Sequence, residues 1–286
     1  MKKIGCVTCR EFSDLYYDDQ YLLPLFEKHQ LKLVPIVWDE PFDYESLDML
    51  LFRSAWDYHQ KTEAFVQYLQ QLKKLKVPVF NPITLIEKNY DKHYLRDLAN
   101  FGFSVIPTLF FSSVETVNLE QMLLENNWQK GVIKPVISMS AYHTYAFDNE
   151  NCATLQKKLA GAYGQSAVMV QKFADEITTD GEWSLVFFDK KYCMTAHKQP
   201  KKGDFRVQTD LGGTVTYQHP PDLIVEEARA ILDSFSEPIL YARMDGIIHK
   251  GHFQLMEAEL IDPELYFRSG AKVQQGFLEA IQAYLD

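Results

Sequence analysis

Three carboxylates near the end of the chain, Asp245, Glu257 and Glu259, lie on two segments that are typical of the strands of one β-hairpin. We predict a three-residue loop at 249–251, because this loop length places glycine where a type I turn with a bulge requires positive φ. That register sets Asp245 opposite Leu255. Since opposed residues, and residues two apart on a strand, share one face of a sheet, the three carboxylates are expected to project from the same face.

Carboxylates crowded on one face repel each other unless a cation or strong hydrogen-bond donors compensate their charge. A site with oxygen ligands only suits Mg²⁺, with Mn²⁺ as the alternative metal. The competing interpretation is an acidic strand face exposed to water. The register decides between them, because a two-residue turn would move Asp245 to the other face.

Strand and helix patterns alternate at short spacing through the first 84 residues, which predicts a small parallel α/β domain over residues 1–84. The apolar residues of one segment recur at helical spacing, and the strands are rich in Val, Ile and Leu. We predict strands at 4–8, 33–38, 49–52 and 77–80, with a helix at 62–76.

The remaining residues, 85–286, mix antiparallel strands with flanking helices, so this part is α+β in character. We divide it into a first subdomain, 85–165, and a second subdomain, 166–286, which carries the hairpin. A single helix is expected over residues 84–100, where a glycine follows the last turn. Further strands are predicted at 103–111, 131–136, 167–173, 182–197 and 241–260, and further helices at 114–125, 152–163, 221–235 and 273–284.

The order Arg243-Met244-Asp245, then Glu257-Ala258-Glu259, then Pro263 resembles the metal-binding end of the ATP-grasp superfamily of carboxylate–amine ligases. More distantly, the chain is similar to glutathione synthetase and D-alanine–D-alanine ligase, which belong to that superfamily. The resemblance implies an ATP-grasp fold behind a small N-terminal pre-ATP-grasp domain. It also implies that ATP and Mg²⁺ are cofactors, with the metal on Asp245, Glu257 and Glu259. Glu259 stands where the superfamily more often has Asn.

The same resemblance assigns the nucleotide site from motifs that follow in the superfamily's order. Two lysines would reach the phosphates, a strand at 168–173 would read the adenine edge, and either Glu176 or Glu182 would hold the ribose. The loop at 135–143 has no glycine, although the superfamily places glycines there, and its small residues would permit close approach. The implied nucleotide-binding residues are Lys92, Lys134, Ser140, Gln171, Lys172, Phe173, Glu176 and Glu182.

Two further cations, Lys198 and Arg206, fall in a segment that looks like the superfamily's catalytic loop. Making an amide from a carboxylate requires a better leaving group than oxide. Transfer of the ATP γ-phosphoryl group to the carboxylate provides this leaving group. Phosphoryl transfer needs mainly positioning and charge neutralisation. The planar guanidinium of Arg206 would hold the migrating phosphoryl group and the developing oxyanion.

The run Arg53-Ser54-Ala55-Trp56-Asp57-Tyr58 is similar to a motif of one branch of the superfamily, the O-ureido-serine cyclo-ligases of the cycloserine pathway. Arg53, at the end of a predicted strand, is a candidate for binding a substrate carboxylate. An ordinary ion pair, such as one with Asp57, is the alternative. Arg268 and Ser269, which follow the metal strand, are further candidates for holding a substrate carboxylate.

We therefore expect an ATP- and Mg²⁺-dependent ligase that activates a small carboxylate as an acylphosphate for attack by an amine, including an amine of the same molecule. The partner would be a small, amino-acid-like substrate. The alternatives are a ligase that modifies a peptide or protein terminus, and a catalytically silent nucleotide-binding protein. Relatives in the superfamily are often dimers or tetramers, and a homodimer is the candidate oligomeric state.

Composition excludes other classes of protein. The 29 Lys and Arg against 39 Asp and Glu give a net charge of −10, which argues against a nucleic-acid or polybasic membrane-surface binder. No apolar stretch is long enough for a membrane span or a secretory signal, so cytoplasmic residence is expected. The chain also has no P-loop, dinucleotide-binding or nucleophile-elbow motif.

Overall fold

The first sheet of the computed structural model is parallel, with its strands in the order β2-β1-β3-β4. The structure describes residues 1–164 and 166–285, apart from the side chains of Ala160 and Asp210. Helices cover both faces of this sheet, which explains why a central strand such as Met49–Ser54 is buried along its whole length. The elements are β1 (Lys2–Thr8), α1 (Leu23–Lys28), β2 (Leu31–Val37), β3 (Met49–Ser54), α2 (Thr62–Leu72) and β4 (Val79–Phe80).

The predicted single helix over residues 84–100 is wrong, because two helices, α3 (Ile83–Asn89) and α4 (Tyr94–Asn100), flank a break. The Asn89 side chain donates to the carbonyl of Ala258 at 2.8 Å and accepts from the N–H of Leu260 at 3.0 Å. At the break, the Lys92 N–H bonds to the carbonyl of Val136 at 3.0 Å. Contacts with distant strands thus replace helical hydrogen bonds, and they fix Lys92 beside the hairpin.

The second sheet is antiparallel, with the order β5-β8-β6-β7. Two helices pack on one face of it and bury an apolar cluster that includes Leu123, Phe147 and Leu159. The other face is left for the strand residues that line a cleft. The elements are β5 (Thr108–Phe111), α5 (Leu119–Glu125), β6 (Lys130–Pro135), β7 (Tyr145–Asp148), α6 (Cys152–Tyr163) and β8 (Val168–Lys172).

The third sheet is antiparallel as well, with the order β11-β10-β9-β12-β13. Its strands contribute both to a core under α8 and to one under α9. Among the residues that the structure describes, no helix has the length and apolar character needed to cross a bilayer. The elements are α7 (Glu176–Thr179), β9 (Glu182–Phe188), β10 (Lys191–Gln199), β11 (Thr214–Tyr217), α8 (Asp222–Asp233), β12 (Tyr241–His249), β13 (His252–Glu259) and α9 (Ala271–Leu285).

The register predicted for the hairpin of β12 and β13 is wrong at the turn and again at Asp245. The two differences together leave Asp245 on the predicted face. The loop has two residues, Lys250 and Gly251, both with positive φ (52° and 84°), as a type I′ turn requires. The register then shifts between Asp245 and Gly246, which inserts one extra residue in β13. Asp245 consequently pairs with Glu257 and not with Leu255, yet it remains on the predicted face.

Candidate active site

The third sheet presents a row of charged side chains along one face, across four neighbouring strands. Asp245 on β12 lies directly opposite Glu257 on β13 and opposite Ser184 on β9. Lys198 on β10 lies opposite Glu182 on β9. Since alternate strand residues share a face, Arg243 and Glu259 join this row. The prediction that the three carboxylates project from one face is therefore confirmed.

Each of the three carboxylates is engaged by a cation. Arg243 Nε lies 2.9 Å from Asp245 Oδ1, and Arg243 Nη2 lies 2.5 Å from Glu259 Oε1. Lys92 Nζ lies 3.0 Å from Glu257 Oε1. Within residues 1–164 and 166–285, no group of three or more carboxylate, imidazole or thiol side chains is arranged to hold a metal ion. The carboxylate oxygens suit Mg²⁺. To bind there, the ion would have to displace Lys92 and Arg243, which now pair with these carboxylates.

The pKa values of this row reflect burial and the mutual pairing of the charges. Burial acts to raise the pKa of Asp245, but Arg243 and Lys198 outweigh it and lower that pKa below its usual range. Burial, with help from Asp245 and Glu257, raises the pKa of Glu259 against the opposing effect of Arg243. Burial would lower the pKa of Lys198, but Asp245 and Glu182 raise it overall. Lys198 and Arg243 therefore stay charged.

Lys134 on β6 faces the row from the opposite wall of the cleft. Burial lowers the pKa of this lysine, and Lys92 adds to the effect while Glu257 opposes it. In the part of the chain that the structure describes, the Lys134 ammonium makes no hydrogen bond and no ion pair. Lys134 is half-buried, and an ammonium in such a position without a protein partner favours an anion from outside the chain.

The strand predicted to read the adenine edge, β8, lines the same cleft through Gln171 and continues into Lys172 and Phe173. The Gln171 side chain donates to Thr108 Oγ1 at 3.1 Å. The N–H of Lys172 bonds to the carbonyl of Pro107, and the N–H of Phe173 to that of Lys130. Those two amides are thus already used within the sheet and its flanks.

The two ribose candidates lie in different places. Glu182 lines the cleft, and its carboxylate accepts from Lys198 Nζ at 2.9 Å. Glu176, on the short helix α7, lies 2.5 Å from His249 Nδ1 at the end of the hairpin and does not line the cleft. The geometry favours Glu182 of the two, and a ribose contact stays a prediction.

The loop between β10 and β11 carries Arg206 at the mouth of the cleft. Its guanidinium lies 2.8 Å from Asp204 Oδ2, and this contact lowers the pKa of Asp204 well below its usual range. The Arg206 side chain is 37% exposed, so it remains accessible to a ligand. The rings of Phe205 and Phe173 meet edge to face at 5.8 Å and connect this loop to the opposite wall.

The glycine-free loop adopts the conformation for which glycine is normally used. Ser140, Ala141 and His143 have φ values of 49°, 56° and 47°. The hydroxyl of Tyr163 donates to the carbonyl of His143 at 2.6 Å. Ser140 and Ala141 line the cleft, so the loop reaches the predicted phosphate site without glycine.

The structure does not bring Arg53 to the cleft, and the predicted substrate contact is corrected. Arg53 is 2% exposed and donates to Asp19 Oδ1 through Nε at 3.0 Å and Nη2 at 2.8 Å. Asp57, the alternative partner, instead accepts from Trp38 and Lys61. The reason is that β3 ends inside the molecule, where the turn that contains Asp19 covers it.

Arg268 and Ser269 also lie away from the cleft lining. Arg268 pairs with Asp18 at 3.0 Å and with Glu264, and its guanidinium stacks on Tyr266. The Ser269 hydroxyl is buried and has no hydrogen-bond partner among the described residues. These two residues shape the loop after β13 instead of facing the carboxylate row.

Arg243 and Ser184 are site residues that the sequence prediction omitted. Arg243 stands two residues before Asp245 on the same strand, so strand periodicity was sufficient to find it. Ser184 donates to Asp245 Oδ1 at 2.6 Å. No pattern in the sequence indicates Ser184, because only the pairing of β9 with β12 brings it there.

Comparison with known proteins connects this arrangement to one fold. Residues 4–81 match the family model described as the N-terminal domain of D-cycloserine synthetase DcsG. The cycloserine biosynthesis protein DcsG of Streptomyces lavendulae is 23% identical over 164 residues, which cover 56% of this chain and 54% of that protein. The aligned part thus spans about half the length of this curated relative.

Solved structures extend the similarity to the whole chain. The crystal structure of D-cycloserine synthetase DcsG superimposes with a TM-score of 0.87 at 21% identity, over 99% of this chain and 100% of that one. D-alanine–D-alanine ligase from Bacillus anthracis complexed with ATP gives a TM-score of 0.67 at 14% identity, over 100% and 99%. The chain has the ATP-grasp fold. The family resemblance predicted from the motifs is confirmed.

The cleft between the second and third sheets contains most of the predicted nucleotide and metal residues. The match at residues 4–81 falls inside the predicted segment 1–84, whose boundaries stay predictions. The cleft residues among the predictions are Lys92, Lys134, Ser140, Gln171, Lys172, Phe173, Glu182, Lys198, Arg206, Asp245, Glu257 and Glu259.

Proposed function

We propose that this chain is an ATP-dependent ligase that activates a small carboxylate as an acylphosphate for attack by an amine. One observation carries the proposal: a half-buried lysine without a partner among the described residues, Lys134, faces a row of carboxylates and cations across a single cleft. Such a cleft suits a polyanion with a divalent metal, because lysines neutralise phosphate on one side and carboxylates hold the metal on the other. The similarity to a D-alanine–D-alanine ligase complexed with ATP supports it.

Each charged residue of the cleft would have a role that follows from its position. Lys134 and Lys92 would hold the phosphates, and Arg206 would contact the migrating phosphoryl group from the cleft mouth. Arg243 and Lys198 are charged and fixed beside the carboxylates, so they can stabilise the oxyanion that forms when the amine attacks the carbonyl carbon. Phosphate then leaves with the bonding electrons, and the amine loses its proton. When bound at Asp245, Glu257 and Glu259, Mg²⁺ or Mn²⁺ would offset phosphate charge.

The scope of the reaction includes cyclisation, in which the amine belongs to the activated molecule. Aromatic side chains line the pocket beside the cleft, and a small substrate is the first candidate, with a peptide or protein terminus as the alternative. A cytoplasmic location and a homodimer stay predictions.

Release of ADP tests the proposal. We expect that Mg-ATP with a panel of small carboxylic acids and amines gives ADP at a rate that depends on the acid. Lys134→Met should lower this rate about 100-fold, because a phosphate contact that acts in the transition state is lost. Lys158→Met, at an exposed helix position, is the matched control and should retain the rate.

One outcome would contradict the ligase proposal. If Mg-ATP raises the melting temperature but no acid elicits ADP, with or without an amine, the chain is a silent nucleotide-binding protein and the ligase proposal is wrong.

A further inference from the structure

The segment that follows β13, residues 260–264, is largely buried but forms neither helix nor strand. The carbonyl groups of such a backbone need hydrogen-bond donors from elsewhere in the chain. Here each of the consecutive carbonyls accepts from a different side chain, so the path of the segment is fixed residue by residue. The donors are Asn81 to Leu260, Tyr241 to Ile261, Trp56 to Asp262, Arg53 to Pro263 and Arg243 to Glu264.

Three of these donors belong to the first sheet or directly follow its strands. Arg53 ends β3 with Ser54, Trp56 comes just after it, and Asn81 follows β4. Their donor atoms lie 3.1, 2.8 and 2.7 Å from the carbonyl oxygens that they contact. Arg53 and Trp56 are the first and fourth residues of the run that resembles the cyclo-ligase motif. That run therefore reaches the backbone next to the carboxylate row.

The last carbonyl of the segment, that of Glu264, connects it to the charged row. Arg243 Nη1 donates to this carbonyl at 3.1 Å. The other hydrogen bonds and ion pairs that Arg243 makes with described residues go to Asp245 and Glu259, which are predicted metal ligands. Once those carboxylates hold a metal ion, the Glu264 carbonyl is the hydrogen-bond acceptor that still orients the guanidinium.

We infer that Trp56 and Arg53 are positioning residues for the reaction. They hold the two carbonyls that precede the carbonyl of Glu264, and through this backbone they orient Arg243 towards the carbonyl carbon under attack. Arg243 stabilises the oxyanion in the proposed function, on which the inference rests. An error in this orientation slows the chemical step without weakening nucleotide binding, because the phosphate contacts are made by other side chains.

Trp56→Phe is the decisive variant. It removes the indole N–H and keeps an aromatic ring in the wall of the pocket beside the cleft, which Tyr16 and Tyr266 also line. We expect kcat for ADP release to fall about 10-fold, while KM for ATP and for the accepted acid changes by less than about 2-fold. The assay temperature is chosen so that circular dichroism shows every variant to be folded.

The chain offers a matched control in Trp38→Phe. Trp38 is also a buried indole next to the first sheet, but its N–H donates to Asp57 Oδ1 at 2.6 Å and not to residues 260–264. This variant should keep the original kcat even if its melting temperature falls as far as that of Trp56→Phe.

A second variant, Arg53→Lys, tests the neighbouring carbonyl. Lysine keeps the positive charge beside Asp19 but replaces the planar fork of donors that also reaches Pro263. It should lower kcat with the same unchanged KM values.

The route through Arg243 is tested by combining substitutions. Arg243→Lys is expected to lower kcat by itself, because an ammonium cannot contact the Glu264 carbonyl and the carboxylate row as the guanidinium does. Adding Trp56→Phe should then cause little further loss, since both substitutions remove the same orientation. Single-turnover reactions give the rate of the chemical step for both, because they follow slow reactions as well as fast ones.

Four results overturn the inference while the ligase proposal stands. They are an unchanged kcat in Trp56→Phe, equal losses in Trp56→Phe and Trp38→Phe, a loss that multiplies with that of Arg243→Lys, and a raised KM for the acid at unchanged kcat. The last result would assign Trp56 to the pocket wall alone. Failure of the proposed function is seen separately, because the original protein would then release no ADP with any acid.

Discussion

Replacing Glu257 and Glu259 together by glutamine is expected to abolish the Mg²⁺-dependent part of ATP binding and to lower ADP release about 1000-fold. Glutamine preserves the shape of each side chain and removes the charge that would hold the metal. The remaining carboxylate, Asp245, is paired with Arg243 and accepts from Ser184, so it is poorly placed to hold the metal alone. The rise of the melting temperature on adding ATP, with and without Mg²⁺, is the measurement.

The same double variant should leave metal-free ATP bound at least as well as before. Glu257 and Glu259 compete with phosphate for Lys92 and Arg243, and both cations lose these partners in the variant. The expected signature is therefore a loss of metal dependence and not a loss of the nucleotide site.

A charge-matched control uses two exposed helix residues, in the variant Glu63→Gln with Glu226→Gln. It should respond to Mg-ATP like the original protein. A double variant of the cleft that keeps the full Mg²⁺-dependent shift would contradict the assignment of Glu257 and Glu259 as metal ligands.

Replacing Arg53 by methionine is expected to lower the free energy of unfolding by about 3–5 kcal/mol, because it leaves a buried carboxylate without its partner. Asp19 is buried and accepts both close contacts from Arg53. Burial raises the pKa of Asp19 to about 6, even though Arg53 acts to lower it. Urea unfolding at constant pH measures the loss.

The loss should depend on pH. Because the folded pKa of Asp19 lies above its unfolded value, the folded state binds the proton more tightly, and this contribution to stability falls as pH rises from about 4 to 6. Without Arg53, that pKa rises further. The difference between Arg53→Met and the original protein should therefore be smaller at pH 5 than at pH 7.5.

A second substitution separates this explanation from simple loss of packing. Arg53→Met with Asp19→Leu removes both charges and should recover most of the stability. Failure of the double variant to recover, together with a loss that does not change with pH, would contradict the buried ion pair as the cause.

Strand periodicity made the shared face of the three carboxylates predictable from sequence. Asp245, Glu257 and Glu259 keep the predicted face because side chains alternate along each strand. The turn and the bulge were missed, since a two-residue turn with Lys250 at positive φ has no strong signal and a bulge has none. The family motifs predicted residues that lie on the strands and loops around one cleft, and their nucleotide contacts stay predictions.

Arg53 shows what sequence reasoning could not reach. Its partner, Asp19, lies 34 positions earlier in a 3₁₀ turn, and no periodic pattern relates the two residues. Nor did the motif around Trp56 reveal that its indole joins the loop after β13 through the carbonyl of Asp262. Such contacts depend on how separate elements pack together, and local sequence does not determine this.

The central claim is the activation of a carboxylate by phosphoryl transfer, and isotope transfer tests it most directly. The acid that supports ADP release is supplied with ¹⁸O in both carboxylate oxygens, and the inorganic phosphate is examined by mass spectrometry. An acylphosphate carries one carboxylate oxygen into the phosphate when the amine attacks, so we predict one ¹⁸O in each phosphate released. Phosphate without ¹⁸O, formed while the amide product accumulates, would contradict the account.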